Sequence, residues 1–186
     1  WSSDVCSSDR GLVNSWGDSV PVLFFAGHND RFEVAGRRGK EIPFLDMFRP
    51  VSKWAAIIND ASQVEPIMRR AFMHLKTPRS GPVVIGMPYD TSRMDAGNFS
   101  YTPIASRPPA RAGADPAAID EAVDMLASAK NPYVYVGVGV IVSGASQELV
   151  ELSELLTLPV ATTLNGKGAF PEKHAHALGL GGFGRA

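Results

Sequence analysis

Three apolar runs in the first half of the chain predict buried strands. They cover residues 20–27, 53–59 and 81–88, and each is short, rich in Val, Ile or Phe, and bounded by polar or glycine-containing sequence. Between the second and third runs, apolar residues recur at helical spacing and predict a helix over about residues 62–76. We place six residues on its apolar face: Val64, Ile67, Met68, Ala71, Phe72 and Leu75. Phe72 is therefore predicted to be a core residue.

A second set of elements is predicted from residue 115 onward. Asp115 followed by Pro116 is typical of a helix start. The apolar face of that helix is predicted to contain Ile119, Val123 and Leu126. Residues 132–139 and 158–163 predict two strands, and the helix between them is predicted to start with Ser143 as N-cap. Its inner face is predicted to contain Leu149, Leu152 and Leu156.

The alternation of strands and helices predicts an α/β fold with parallel sheets. Residues 89–114 contain several prolines and no periodic apolar face, and they are interpreted as a linker. The first ten residues, WSSDVCSSDR, repeat the triplet SSD and show no helical or strand period, so residues 1–10 are interpreted as a non-native tail outside the fold.

Composition narrows the functional classes. The chain has 186 residues with a formal net charge of −1, which gives no electrostatic case for nucleic-acid binding. No apolar run is long enough to span a membrane. One cysteine, Cys6, cannot form an internal disulfide. These observations predict a cytoplasmic protein without nucleic-acid or membrane partners.

Candidate chemistry follows the predicted strands. Gly137, Val138 and Gly139 lie between a strand and a helix, where they suit either nucleotide binding or a tight turn. Thr163, Leu164 and Asn165 follow the next strand, at the edge where open sheets bind ligands. His28 follows the strand of residues 20–27 and is either functional or an ordinary loop histidine. His74 is expected to be exposed.

The order of several phrases resembles the thiamine-diphosphate-dependent enzymes, in the branch of acetohydroxyacid synthases, glyoxylate carboligases and decarboxylases. The phrases are RPVSKW, SGPVVIGMPYD and GKGAFPEKH, and the resemblance covers residues 11–186. It implies that residues 11–88 are the C-terminal part of a pyrimidine-binding domain. It also implies that residues 115–186 are most of a Rossmann-like central domain with a parallel sheet.

The resemblance also implies cofactors and site residues. Thiamine diphosphate and Mg²⁺ serve the family, but the glutamate that activates the cofactor and the metal-binding motif are expected outside this fragment, which is therefore expected to be inactive alone. A Phe-Gln-Glu triplet near the active site matches Gly39, Lys40 and Glu41 here, so only Glu41 agrees with the pattern. Together with His28, Lys40 and Glu41 are the candidate active-site-lining residues.

In acetohydroxyacid synthases three loops of the central domain bind FAD. They match Gly137–Gly139, Thr163–Asn165 and Leu180–Gly184, the last of which includes Gly181 and Gly182. A Met and a His of the pattern are replaced by Asn165 and Gly184, so the sequence leaves FAD open without supporting it.

The family further implies a 2-oxo acid substrate and assembly into a homodimer or homotetramer. The chain is thus interpreted as a fragment of a lyase or carboligase. The alternative is a stand-alone nucleotide-binding or structural module without catalysis.

Overall fold

The structure, a computed structural model, describes residues 5–34, 36, 41–77, 79–97 and 113–182. The chain divides into two compact units, Trp1–Arg111 and Ala112–Ala186. Each contains a three-stranded parallel sheet, with the strands in the order β1-β3-β2 in the first unit and β4-β5-β6 in the second. The predicted α/β fold with parallel sheets is therefore confirmed.

The first unit places its most apolar strand at the centre of the sheet. Its elements are α1 (Val5–Gly17), β1 (Leu23–His28), α2 (Phe44–Phe48), β2 (Trp54–Ile57), α3 (Val64–Lys76) and β3 (Val83–Pro88). Val83, Val84 and Ile85 of β3 have no exposed surface, because elements pack on both faces of the sheet. One face holds the cluster of Leu12, Phe44, Phe48 and Val84, and the other holds Ile58, Ala71, Val83 and Ile85.

Helix α3 packs with most of its predicted apolar face, but not with Phe72. Ala71 is fully buried, whereas Phe72 is 40% exposed, so the prediction of Phe72 as a core residue is wrong. Val64, Ile67 and Leu75 pack around the buried cluster with Ala71. Adjacent helical positions differ by about 100° around the axis, so Phe72 lies on the border of this face and turns toward solvent.

His74 is half-buried, not exposed as expected. Its ring stacks on Trp54 with 5.5 Å between the ring centroids, and its Nε2 atom is buried. Burial lowers the pKa of His74, and the positive charges of Lys53 and Arg70 lower this pKa further. Arg70 also lies over the Trp54 ring, 5.6 Å from its centroid.

Two further helical segments of this unit were not predicted from the sequence. Residues 5–10 form the first part of α1, so the expectation that they have no helical structure is wrong. The sequence pattern predicts no helix between the strands of residues 20–27 and 53–59, yet Phe44–Phe48 form α2 with Phe44 and Phe48 buried. Two buried aromatic rings anchor this short helix, which propensity alone would not have identified.

The second unit has a smaller core. Its elements are α4 (Pro116–Ser128), β4 (Val134–Val136), α5 (Gly139–Ser143), α6 (Ser146–Leu156), β5 (Val160–Thr162) and β6 (Ala177–Leu180). The core residues are Val136, Leu149, Val160, Ala169 and Phe170. None of the helices in the described part of the chain is long and apolar enough to cross a membrane.

The start of α4 is confirmed, because the Asp115 carboxylate accepts a hydrogen bond from the Ala117 N–H and Pro116 is the first helical residue. Its predicted apolar face is only partly covered: Ile119 and Val123 are about half exposed, at 49% and 56%, whereas Leu126 is partly buried.

Three further details of the second unit differ from prediction. Ser143 ends α5 and does not cap α6, whose N-cap is Ala145. In α6 the core side is made by Leu149 and Ser153, while Leu152 and Leu156 are partly exposed. Strand β6 was not predicted, because its glycine-containing sequence gives a weak strand signal.

Candidate functional site

A cavity of about 840 Å³ lies at the carboxyl ends of the strands in the first unit. His28 and Pro88, the last residues of β1 and β3, line it together with Ile57, the last residue of β2. Carboxyl ends of parallel strands meet at one edge of the sheet, which is where open α/β sheets bind ligands. The remaining lining residues are Arg31, Val34, Glu41, Ile42, Pro43, Phe44, Leu45, Asp46, Arg49 and Asn59.

This cavity brings together two of the three active-site-lining residues proposed from the sequence. His28 and Glu41 both line it. Lys40 lies outside the described residues. The His28 ring meets the Phe44 ring edge-on, with 5.8 Å between their centroids. Its Nδ1 atom lies 3.3 Å from the Asn29 carbonyl oxygen, so Nδ1–H donates and Nε2 is left as the acceptor nitrogen of the neutral ring.

Arg31 connects the ends of all three strands, and sequence reasoning missed it. Its Nε–H donates to Asp90 Oδ2 at 2.7 Å, and its backbone N–H donates to Asp90 Oδ1 at 3.1 Å. Its Nη1 donates to the Asn59 carbonyl oxygen at 2.7 Å. Arg31 follows β1, Asn59 follows β2 and Asp90 follows β3, so this guanidinium ties the three strand ends together at the cavity.

The contacts of Arg31 with Asp90 and Asn59, called the clamp from here on, are electrostatically favourable. Burial raises the pKa of Asp90, but the hydrogen bonds and positive charge of Arg31 outweigh it and hold that pKa below its usual value. Asp90 therefore stays ionised at neutral pH and fixes Arg31 in one orientation. The second guanidinium of the cavity, Arg49, is held less firmly: among the described residues its ion pair is with Asp46, at 3.6 Å, and its side chain is 64% exposed.

The three proposed nucleotide loops of the second unit also lie at one sheet edge. Gly137–Gly139 follow β4, Thr163–Asn165 follow β5, and Gly181–Gly182 follow β6. The first two loops are joined by a hydrogen bond of 2.8 Å from the Thr163 N–H to the Val136 carbonyl oxygen. The first two loops follow strands that were predicted from the sequence, whereas the third follows the unpredicted β6, and the role of all three in binding stays a prediction.

The glycines of these loops have different physical roles. A Cβ atom added to Gly137 or Gly139 would meet no atom within 4 Å, so a ligand can approach the backbone there. Gly181 and Gly182 are instead pressed against Tyr135, whose hydroxyl group donates to the Gly181 carbonyl oxygen at 3.0 Å. Gly182 also has a φ of +90°, which favours glycine.

These contacts decide how far FAD fits the second unit. The open space at Gly137 and Gly139 suits close approach of a phosphate or flat ring, whereas Tyr135 accounts for Gly181 and Gly182 without any ligand. Thus the open space at Gly137 and Gly139 is the feature of these described loops that a bound nucleotide would explain. The function proposed for this chain uses no FAD.

The cavity of the first unit fits the ring portion of thiamine diphosphate better. Phe44, Ile57 and Pro88 supply apolar wall, and His28 and Glu41 supply polar groups, which is the mixture that binds planar heteroaromatic ligands. Among the described residues, no group of three His, Cys, Asp or Glu side chains could hold a metal ion.

Known proteins and a protein-family model are similar to this chain in sequence. The model of the thiamine pyrophosphate enzyme central domain matches residues 119–186. A probable acetolactate synthase large subunit of Methanococcus aeolicus is 36% identical over 178 residues, which are 92% of this chain and 29% of that protein. Acetolactate synthase of Arthrospira platensis is 33% identical, over 92% of this chain and 30% of its own length. Glyoxylate carboligase of Escherichia coli O157:H7 is 30% identical over 173 residues, 92% of this chain and 29% of its length.

The chain thus spans about three-tenths of the length of these curated relatives. Both units contribute to the similarity, because the matched segments cover more than the family model alone. The resemblance seen in the sequence is therefore confirmed: the second unit matches the central domain of thiamine pyrophosphate enzymes, and nearly the whole chain is similar to acetolactate synthases and a glyoxylate carboligase.

Proposed function

We propose that this chain is part of a thiamine-diphosphate-dependent lyase or carboligase that acts on a small 2-oxo acid. The observation that carries the proposal is the cavity of the first unit, which joins apolar walls to His28 and Glu41 at the carboxyl edge of a parallel sheet. The names of its relatives, acetolactate synthase and glyoxylate carboligase, support this substrate class.

Bound thiamine diphosphate supplies an electron sink for the carbon–carbon chemistry, and the protein supplies orientation and electrostatics. Phe44 and Ile57 give the cavity an apolar wall. His28 Nε2, with Nδ1–H held by the Asn29 carbonyl, accepts a hydrogen bond from a ligand inside the cavity. Glu41 is the second polar group of the cavity, and its carboxyl oxygens accept hydrogen bonds from a bound ligand.

The proposal includes Mg²⁺ bound with the cofactor diphosphate, a homodimer or homotetramer, and a cytoplasmic location. These three points rest on the family resemblance. Because the chain covers about three-tenths of its relatives, we further propose that activity belongs to the whole protein and that the 186-residue chain alone is inactive.

The test is cofactor dependence in the whole protein. The purified protein is stripped with a chelator and dialysed, then assayed with pyruvate or glyoxylate, with and without thiamine diphosphate and Mg²⁺. We expect consumption of at least one of these acids only when the cofactor is restored. Consumption of neither acid by the restored protein, or equal consumption without the cofactor, would contradict the proposal.

A further inference from the structure

Arg31 is a guanidinium fixed in place inside the cavity. Three hydrogen bonds to Asp90 and Asn59 hold it, two of them made by its side chain. An arginine side chain has five N–H donors, so these two contacts use Nε–H and one Nη1–H and leave three others. Arg31 also lines the cavity that a ligand would fill.

A fixed guanidinium is well suited to bind a carboxylate. Its parallel N–H groups match the two oxygens of a carboxylate, and the pairing adds charge to the hydrogen bonds. Since Asp90 and Asn59 already hold the side chain, little rotational freedom is lost when a ligand binds. A mobile lysine or a free arginine would lose more.

The other charged groups of the cavity favour Arg31 over Arg49 as this anchor. Arg49 is 64% exposed and therefore strongly screened by solvent, and its partner Asp46 is 76% exposed. Arg31 has the lower side-chain exposure, 39%. Glu41 also lines the cavity, and its negative charge favours a ligand whose carboxylate lies at Arg31 and whose carbon skeleton lies on the apolar wall.

We propose that Arg31 binds the carboxylate of a small 2-oxo acid in this cavity, with Asp90 and Asn59 as positioning residues. This inference rests on the proposed function for the choice of a 2-oxo acid. It assigns Arg31 a direct contact with substrate, in addition to its contacts between the strand ends.

The first experiment is a titration of the 186-residue chain with pyruvate, followed by NMR of the arginine side-chain N–H groups. The matched ligand is methyl pyruvate, which lacks the charge. We expect pyruvate to shift the Arg31 Nε–H signal and to bind at least about tenfold more tightly than the ester, as expected for hydrogen bonds to a charged group. Equal binding of the two ligands, or no binding of pyruvate, would overturn the proposal.

Variants then separate Arg31 from its surroundings. Arg31→Gln should weaken pyruvate binding about tenfold or more, whereas Arg49→Gln, which removes the other guanidinium of the same cavity, should change it less than about twofold. Asp90→Asn breaks the clamp but keeps the guanidinium, so it should weaken binding less than Arg31→Gln does. A loss with Asp90→Asn as large as that with Arg31→Gln would show that Arg31 acts only by holding the strand ends.

Kinetics of the whole protein distinguish this proposal from the proposed function. We expect Arg31→Gln to raise KM for pyruvate about tenfold or more, with a smaller change in kcat. Turnover by the wild type with an unchanged KM in Arg31→Gln would refute the role of Arg31 and leave the proposed function standing. No turnover by the wild type, with pyruvate binding that is lost in Arg31→Gln, would refute the proposed function alone.

Discussion

At Gly86 the sheet packs tightly against two residues of the cavity wall, Phe44 and Ile57. It lies in the middle of β3, and a Cβ atom added there would be 2.8 Å from Phe44 Cε1 and 3.1 Å from Ile57 Cγ1. The first distance is shorter than side chains tolerate, so one of the groups must move. Phe44 is 4% exposed and lies 4.9 Å from the Phe48 ring, centroid to centroid, so it has little room to turn.

We therefore expect Gly86→Ala to destabilise the chain by about 1–3 kcal/mol, the usual cost of overpacking a closed core. The matched control is Gly27→Ala in β1 of the same sheet, where a Cβ atom would meet nothing within 4 Å. That variant should be unchanged or about 0.4–1 kcal/mol more stable, because alanine restricts the unfolded chain.

Urea denaturation followed by tryptophan fluorescence measures both variants, and the midpoints are compared at equal slope. If Gly86→Ala unfolds at the same urea concentration as Gly27→Ala, the close packing of Phe44 over β3 is incorrect. Since Phe44 also meets the His28 ring, the NMR signals of that ring should shift in Gly86→Ala.

Three other predictions test the packing and electrostatics of the two units. Phe72→Ala should cost less than about 1 kcal/mol, while Ile85→Ala should cost about 2–5 kcal/mol, and urea midpoints that rank them in the opposite order would contradict the orientation of α3. The pKa of His74 is lower in the folded chain than in the unfolded chain, so the unfolded chain binds more protons below about pH 6.5. The free energy of unfolding should therefore fall as the pH drops through this range, and it should fall less in His74→Gln. Tyr135→Phe should lower the free energy of unfolding by about 0.5–1.5 kcal/mol, because the hydrogen bond to Gly181 is lost. Gly182→Ala should lower it more, because the new Cβ atom strains the backbone and meets Tyr135. Thermal unfolding measures both variants, and an unchanged stability of Gly182→Ala would be evidence against the contact between Gly182 and Tyr135.

The strands of the first unit could be predicted because parallel strands buried on both faces are nearly continuous apolar runs. The same signal fails for β6, whose four residues include Gly179 and are mostly exposed. It also fails for α2, which is too short to show a helical period and depends on Phe44 and Phe48 packing against β3. Tertiary contacts, which local sequence does not encode, decide both elements.

The candidate site was predictable in part, for a related reason. His28 could be placed at the sheet edge because it directly follows an apolar run. Arg31 and Asp90 are 59 positions apart in the chain, and only the pairing of β1 with β3 brings them together. The sequence does contain one signal for this pair: Arg31 and Asp90 each follow a predicted strand by a few residues. A positive and a negative side chain could therefore be expected at the carboxyl edge of the sheet.

The central claim is that the cavity at the carboxyl edge of the first unit is part of the active site. The most direct measurement compares kcat/KM for pyruvate in the whole protein and in two variants that each neutralise one carboxylate of the first unit, Glu41→Gln in the cavity and Glu65→Gln on α3. Glu41 is half-buried and lines the cavity, whereas Glu65 does not line it, is 47% exposed and pairs with Arg69. We predict that Glu41→Gln lowers kcat/KM at least about tenfold and that Glu65→Gln changes it less than about twofold. Wild-type kcat/KM in Glu41→Gln, or an equal loss in both variants, would contradict the claim.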